Sequence, residues 1–136
     1  MVNQNIKFGD ILIVKLPKQI PDGVEIDSKQ IEEEKTRKVI CICNPNDFGM
    51  PRFSGILLVA PLTSNIDNWK DKAKSLYPFF QAEYYDFFSK DNVLLLDQIR
   101  AIDKKRVEKI VSETSDLFKS GLRILIKAIF DEPRKE

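Results

Sequence analysis

Residues 92–103 read NVLLLDQIRAID, and the fold is most readily inferred from this segment. Its first half, residues 92–97, is short and apolar, which is typical of a strand inside a sheet. The polar side chains of Asp97, Gln98 and Arg100 follow immediately. We therefore expect a buried strand that ends in a polar cluster.

Apolar segments of similar length occur on both sides of this strand. Residues 11–16 (ILIVKL), 38–43 (KVICIC) and 55–62 (GILLVAPL) precede it, with glycine, proline or asparagine at the turns between them. The third segment is nearly all apolar and is expected to be buried on both faces. Residues 105–111 alternate enough to form one more strand.

The hydrophobic period changes near the C-terminal end, where apolar residues recur at steps of three and four. This spacing predicts an amphipathic helix. Thr114 or Ser115 is expected to cap it, and Pro133 lies beyond its end. The predicted stripe consists of Leu117, Phe118, Gly121, Leu122, Leu125, Ala128 and Ile129.

The order of elements, with strands first and a helix last, predicts an α+β fold built on a curled, mostly antiparallel sheet. The chain has 136 residues and shows no linker or internal repeat, so we expect one domain over residues 1–136. No apolar run is long enough to cross a bilayer, and residues 1–10 lack a signal-peptide core. We expect a cytoplasmic protein.

The composition excludes several kinds of chemistry. The chain contains no histidine, which excludes Ser-His-Asp and Cys-His nucleophiles and any histidine metal site. The two cysteines, Cys41 and Cys43, have no second ligand pair for zinc and are expected to be small core residues. The 22 basic and 21 acidic residues nearly cancel, so nucleic-acid binding would require a local basic cluster.

Four blocks of the sequence, taken in order, resemble the MazF/PemK toxins. They are GDILIV at 9–14, RKVICI at 37–42, VAPLTS at 59–64 and NVLLLDQIRAID at 92–103. Each short block is weak alone, but the last is fairly specific and the ordered set extends from Phe8 to about Ile129. The resemblance implies an SH3-like barrel or curled sheet with a C-terminal helix, working as a homodimer. It also implies a ribonuclease that cuts single-stranded RNA at short motifs, without metal or other cofactor, and is opposed by an antitoxin protein.

Three candidate catalytic residues follow from the resemblance. Arg37 opens the second strand and Thr63 closes the third, while Glu32 lies five residues before Arg37. The chain departs from the family pattern in two places. Lys38 replaces the usual proline, and the long loop 17–35 lacks the usual glycines, which leaves Glu33 and Glu34 as alternatives to Glu32.

These residue types suit RNA cleavage because RNA supplies its own nucleophile, the 2′-hydroxyl. The guanidinium of Arg37 matches two phosphate oxygens and stabilises the charge of the transition state. The hydroxyl of Thr63 donates a hydrogen bond to a phosphate oxygen or orients the 2′-hydroxyl. A carboxylate at Glu32 serves as general base. The expected products carry 2′,3′-cyclic phosphate and 5′-hydroxyl ends.

Further residues are candidates for binding RNA, although each also has a purely structural interpretation. Basic side chains beside an aromatic ring can attract phosphates and stack bases, but they also occur on ordinary solvated surfaces. The polar stretch that contains Asp97 is interpreted mainly as a turn-holding element, and the aromatics of residues 77–88 as core and dimer contact. The candidates are Ser64, Trp69, Lys70, Lys72 and Arg100.

Two other functions remain open at this level. The related CcdB toxins bind DNA gyrase and cut nothing, and a catalytically silent binding module is the other alternative. The presence of both Arg37 and Thr63 favours the nuclease. In that case an acidic or amphipathic antitoxin segment is expected to cover the groove that admits RNA.

Overall fold

The computed structural model describes residues 5–16, 35–49, 55–69, 71–72 and 76–131. These residues form seven strands, several short 3₁₀ turns and one α-helix. The strands are β1 (Ile11–Leu16), β2 (Lys35–Cys43), β3 (Ile56–Thr63), β4 (Phe79–Phe80), β5 (Asn92–Leu94), β6 (Arg100–Asp103) and β7 (Val107–Ser112), and the helix is α1 (Asp116–Phe130).

The strands form one sheet in the order β4-β5-β3-β2-β1-β7, with β6 paired to β3 beside this path. Every pairing between described strands is antiparallel. Within the described parts of the chain, β7 pairs with β1 alone and β4 with β5 alone, so the sheet curls without closing. The expected curled antiparallel sheet with a C-terminal helix is therefore confirmed, and a closed barrel is not formed.

Strand β3 is responsible for the curl because it changes partners along its length. Residues 56–59 pair with β6, whereas Leu62 and Thr63 pair with Leu94 and Val93 of β5. On its other edge β3 pairs with β2, through a register that shifts between Cys41 and Cys43. Such an irregularity bends a strand and increases its twist. The extra residue is in β2, so this strand bends where it pairs with Leu58 and Val59 of β3.

Two apolar clusters cover the two faces of the sheet, because neighbouring residues of a strand point in opposite directions. Leu12 and Val39 belong to the first cluster, whereas their chain neighbours Ile11 and Ile40 belong to the second. The second cluster also holds aromatic residues from the segment 80–88 and the buried face of α1. Burial of both faces explains why the strand sequences are almost continuously apolar.

Helix α1 is capped by Ser115, whose hydroxyl accepts a hydrogen bond from the Phe118 N–H at 3.2 Å. Phe118 and Leu122 are buried, as the periodicity predicts. Leu117, Gly121 and Ala128 were assigned to the same stripe, but all three are exposed, Leu117 by 85%. No helix of the described residues is long and apolar enough to span a membrane.

The Gly9–Asp10 turn ties the helix to the sheet. Gly9 has φ +85°, and its carbonyl accepts a hydrogen bond from the Thr114 hydroxyl at 3.0 Å. Thr114 is thus a tether between distant segments and not the helix cap. Asp10 is fully buried and its carboxylate accepts from the Lys7 N–H at 2.8 Å, while its other oxygen has no hydrogen-bond partner. Burial raises the pKa of Asp10.

The predicted strands differ from those of the structure in several places. Strand β2 begins at Lys35 and not at residue 38, and β4 was not predicted. The strand expected at residues 92–97 ends at Leu94, because Leu96–Gln98 forms a 3₁₀ turn. Strand β6 was not predicted, since its sequence RAID is short and half charged. The last strand begins at Val107, after a 3₁₀ turn, and not at residue 105.

Candidate functional site

A groove with a volume of about 720 Å³ lies where β2 and β3 separate, and we call it the basic groove. The segment 89–100, which contains β5 and the turn after it, forms its opposite side. Five residues that the sequence singled out line this groove together. They are Arg37, Thr63, Ser64, Trp69 and Arg100.

Strand register explains why Arg37 and Thr63 meet. In the β2–β3 pairing Val39 lies opposite Pro61, which is the last recorded pair at this end of the two strands. Arg37 and Thr63 each lie two residues beyond this pair, at the ends where the two strands separate. Both side chains line the groove, so a phosphate bound there would have Arg37 and Thr63 in its surroundings.

The Thr63 hydroxyl oxygen accepts one hydrogen bond, and the hydroxyl proton has no acceptor among the described residues. Its oxygen accepts a hydrogen bond from the Asn65 N–H at 3.1 Å, which closes a tight turn after β3. A hydroxyl carries one donor in addition to its acceptor lone pairs. Thr63 is half-buried and can therefore direct this donor into the groove. The geometry suits donation to an anionic oxygen.

Positive charge is concentrated in this groove although the whole chain carries only +1. Four cationic side chains line it, from Arg37, Lys38, Lys90 and Arg100, and no carboxylate among the described residues does. By contrast, a second groove beside α1 is lined by Asp86 and Glu113 and by no described cation. The local cluster that RNA binding would need is therefore present.

Two of these cationic residues, Lys38 and Lys90, were not predicted to be site residues from the sequence. Lys38 was noted only as a departure from the family pattern, yet it adds a charge to the groove wall. Lys90 lies in the turn before β5, where the buried Asn92 side-chain amide donates to its carbonyl at 2.8 Å. A lysine in a polar turn carries no pattern of its own, so no signal in the sequence marks it.

Arg100 reaches the groove from the start of β6, where it pairs with Val59 of β3. Its neighbour Gln98 also lines the groove. Asp97 instead accepts a hydrogen bond from the Tyr77 hydroxyl at 2.6 Å, which agrees with a turn-holding role for this polar stretch.

The remaining candidates are not part of the groove wall. Lys72 does not line it; its ammonium lies 4.9 Å from the centre of the Trp69 ring, in a cation–π contact. Glu32 and Lys70 lie outside the described residues, as do Glu33 and Glu34. Their proposed roles stay predictions.

Cysteine chemistry does not contribute to this site. Cys41 and Cys43 are both unpaired thiols, as expected. Cys41 is fully buried, and burial raises its thiol pKa to about 12, so it remains protonated near neutral pH. In the described part of the chain no three carboxylate or thiol groups lie close enough together to hold a metal ion.

Comparison with known families agrees with this geometry. A family model described as the PemK-like, MazF-like toxin of type II toxin–antitoxin systems matches residues 7–129. A comparison with curated proteins returns no match. The matched region contains the whole basic groove and most of α1. The chain belongs to the PemK-like, MazF-like toxin family of type II toxin–antitoxin systems.

Proposed function

We propose that this protein is a toxin that cleaves single-stranded RNA at specific sequences, using the substrate 2′-hydroxyl and no metal ion. The observation that carries the proposal is the meeting of Arg37 and Thr63 in a groove whose described lining is cationic. Family membership supports a toxin role, and the groove supplies the chemistry.

The proposed reaction is an in-line attack of the 2′-hydroxyl oxygen on the adjacent phosphorus. A P–O bond forms to this oxygen, its proton passes to the general base, and the bond to the 5′-oxygen breaks as that oxygen gains a proton. Arg37 stabilises the negative charge on the non-bridging oxygens, and Thr63 donates to one of them. The products carry 2′,3′-cyclic phosphate and 5′-hydroxyl ends, and no cofactor is required.

The general base is proposed to come from the segment before β2. No carboxylate of the described residues lines the groove, so Asp and Glu side chains in the described strands and turns are not positioned for this role. Glu32 remains the proposed base, with Glu33 and Glu34 as the alternatives. All three are connected to Arg37 by a few residues of chain.

The partner antitoxin that family membership implies is proposed to cover the same groove. An acidic segment would neutralise the four cations and exclude RNA by direct competition. Since the proposed substrate is messenger RNA, we place both proteins in the cytoplasm.

A homodimer is proposed on the basis of the exposed apolar surface of α1. Leu117 is 85% exposed, Ile124 71% and Phe130 70%, which is unusual for large apolar side chains of one helix. A second copy of the chain would remove this surface from water. Light scattering is expected to give twice the chain mass, and the double variant Leu117→Lys, Ile124→Lys to give the monomer mass.

The decisive experiment incubates the full chain with a long unstructured RNA in excess EDTA and maps the fragment ends. Discrete cuts that end in cyclic phosphate are expected. Arg37→Ala is expected to lower the rate by about 10²- to 10³-fold, the effect of removing one preorganised donor from a transition state. Arg37→Lys keeps the charge but loses the fork and should restore only part of the rate.

Arg123→Ala is the matched control, because Arg123 lies on α1 and stacks on the Phe8 ring at 4.7 Å, away from the groove. It should cut like the unaltered protein. Intact RNA over diverse sequences, or fragments with free 3′-hydroxyl ends, would overturn the proposal. A gyrase supercoiling assay would then test the non-catalytic alternative.

A further inference from the structure

The side chains of Asp97, Tyr77 and Trp69 contact one another in that order, and Trp69 lies at the basic groove. The Tyr77 hydroxyl donates to the Asp97 carboxylate at 2.6 Å, and the Tyr77 ring lies 4.9 Å from the Trp69 ring with the planes at 56°. Trp69 itself lines the groove. We propose that Trp69 is a stacking platform for a nucleobase next to the cleaved phosphate, and that Tyr77 and Asp97 are positioning residues that hold it there. The inference rests on the proposed function.

Tyr77 is held rigidly by its chain neighbours. The carbonyl of Leu76 accepts from the Leu96 N–H at 3.1 Å, and the carbonyl of Pro78 accepts from the Leu94 N–H at 2.9 Å. Backbone hydrogen bonds to one strand and its turn therefore flank Tyr77 on both sides. Asp97 follows Leu96 directly. The bond from the Tyr77 hydroxyl to the Asp97 carboxylate therefore adds a third link between residues 76–78 and residues 94–97.

The bond between Tyr77 and Asp97 has the length of a strong interaction. Hydroxyl–carboxylate bonds between about 2.5 and 2.7 Å are charge-assisted and stronger than neutral ones. The hydrogen bond to Asp97 also raises the pKa of Tyr77, so the hydroxyl stays protonated and remains a donor. Because both groups are at the surface, the bond contributes little to global stability, and its value lies in fixing the ring.

The Trp69 ring is suited to receive a base. In the free protein the Lys72 ammonium lies over this ring in an exposed and therefore weak cation–π contact. Stacking of a base on an aromatic side chain is stronger and raises affinity about 5- to 150-fold. The base therefore displaces Lys72, and the released ammonium stays close to the backbone of the same nucleotide. Every base has a π-face, so the platform fixes position more than sequence.

A single fluorophore makes the inference testable without cleavage, since Trp69 is the only tryptophan of the chain. The probe is a mixed-sequence 12-nucleotide DNA, which lacks the 2′-hydroxyl and is not cut. Its partner probe is an abasic strand with the same number of phosphates. The base-containing strand should quench Trp69 fluorescence, and the abasic strand should bind through its phosphates with little quenching.

Substitutions of Trp69 test base stacking itself, and substitutions of Tyr77 and Asp97 test whether these residues position the Trp69 ring. Trp69→Ala, followed by labelled DNA, should weaken binding of the base-containing strand about 5- to 150-fold, the range of one base stack. Tyr77→Phe keeps the ring but loses the hydroxyl and should weaken it about 2- to 10-fold, the net effect of one hydrogen bond. Asp97→Asn should resemble Tyr77→Phe. None of the three should change binding of the abasic strand.

RNA cleavage measured in parallel distinguishes positioning from a general structural role. Tyr77→Phe should raise KM and leave kcat and the thermal midpoint near the values of the unaltered protein. Tyr84→Phe is the matched control, because this tyrosine is 72% exposed and lies outside the basic groove.

Equal quenching by the abasic strand, or a Tyr77→Phe protein that binds and cleaves normally, would overturn the inference while cleavage by the unaltered protein stands. Absence of cleavage by the unaltered protein would instead overturn the proposed function, and the DNA titrations would still decide the stacking role. The two failures are therefore separable.

Discussion

Arg37 and Thr63 line one groove where β2 and β3 separate, and each lies two residues beyond the last recorded pair, Val39 and Pro61. They come from strands on either side of a long connection, yet the antiparallel register directs both into the basic groove. The buried apolar residues that fix this register therefore also fix the proposed catalytic pair.

The Thr63 hydroxyl provides the first prediction. Thr63→Val keeps the branched shape and suits a strand, but it removes the donor. Cleavage should fall about 10- to 150-fold, corresponding to a hydrogen bond of about 1.5–3 kcal/mol to a charged group. Thr63→Ser retains the hydroxyl and should recover most of the rate in single-turnover assays. Equal rates for the Val and Ser variants would show that the hydroxyl is not used.

The charge of the groove predicts a steep salt dependence. The association constant for single-stranded nucleic acid should fall as salt is added. If all four cations contact phosphates, a plot of its logarithm against the logarithm of the salt concentration should have a slope of about −3, since each contact contributes about −0.7. Lys90→Ala should reduce the slope by about 0.7. Lys109→Ala removes an exposed lysine of β7 outside the groove and is the control. A Lys90 variant with an unchanged slope would remove this residue from the interface.

Replacing two different leucines of α1 by alanine should have very different effects on the free energy of unfolding. Leu122 is 2% exposed and packs in the second apolar cluster, so Leu122→Ala should lower the free energy of unfolding by about 2–5 kcal/mol. Leu117 is 85% exposed, and Leu117→Ala should change it by less than about 0.5 kcal/mol in urea titrations of dilute, monomeric protein. Similar losses for both variants would contradict the observed orientation of the helix.

The buried carboxyl of Asp10 predicts a dependence of stability on pH. Burial raises its pKa in the folded protein above the ordinary value of 3.8, so the folded state binds the proton more tightly than the unfolded chain. This contribution to stability is complete below the unfolded pKa and is lost as the pH rises through the folded pKa. Nearby Lys119 and Lys7 oppose the shift, and Glu113 adds to it.

Asp10→Asn removes the titration but keeps an acceptor for the Lys7 N–H. The free energy of unfolding of the variant, relative to the unaltered protein, should therefore increase as the pH rises from about 4 towards neutrality. Urea titrations across this range give the difference. A difference that stays constant with pH would mean that Asp10 has the same pKa in both states.

The strands and the helix were predictable where a hydrophobic pattern specifies them. Residues 11–16 and 38–43 lie in strands because nearly every residue is apolar and both faces are covered. Strand β6 has no such pattern, since only Ile102 of its four residues is buried and the strand is also held by pairing with β3. The exposure of Leu117 likewise depends on how α1 docks, which periodicity leaves open within one residue.

The site was predictable only in part, for a related reason. Arg37 and Thr63 were recognisable because both stand at the ends of apolar blocks with a family resemblance. Lys90 could not be recognised, because its place in the groove depends on how the turn before β5 is folded. The support of Trp69 by Tyr77 and Asp97 depends equally on a distant pairing, 20 residues apart between hydroxyl and carboxylate.

The groove residues are far apart in the sequence, and this affects when the groove can form during synthesis of the protein. Arg37, Thr63 and Arg100 lie on three strands, and the sheet gains its last strand, β7, only through pairing with the first. A nascent chain that ends before residue 100 lacks the Arg100 side chain of the groove and the strand that pairs with the beginning of β3. All three residues must therefore have been synthesised before the groove can assemble. The proposed RNA cleavage, which depends on this groove, therefore cannot begin before synthesis has passed residue 100.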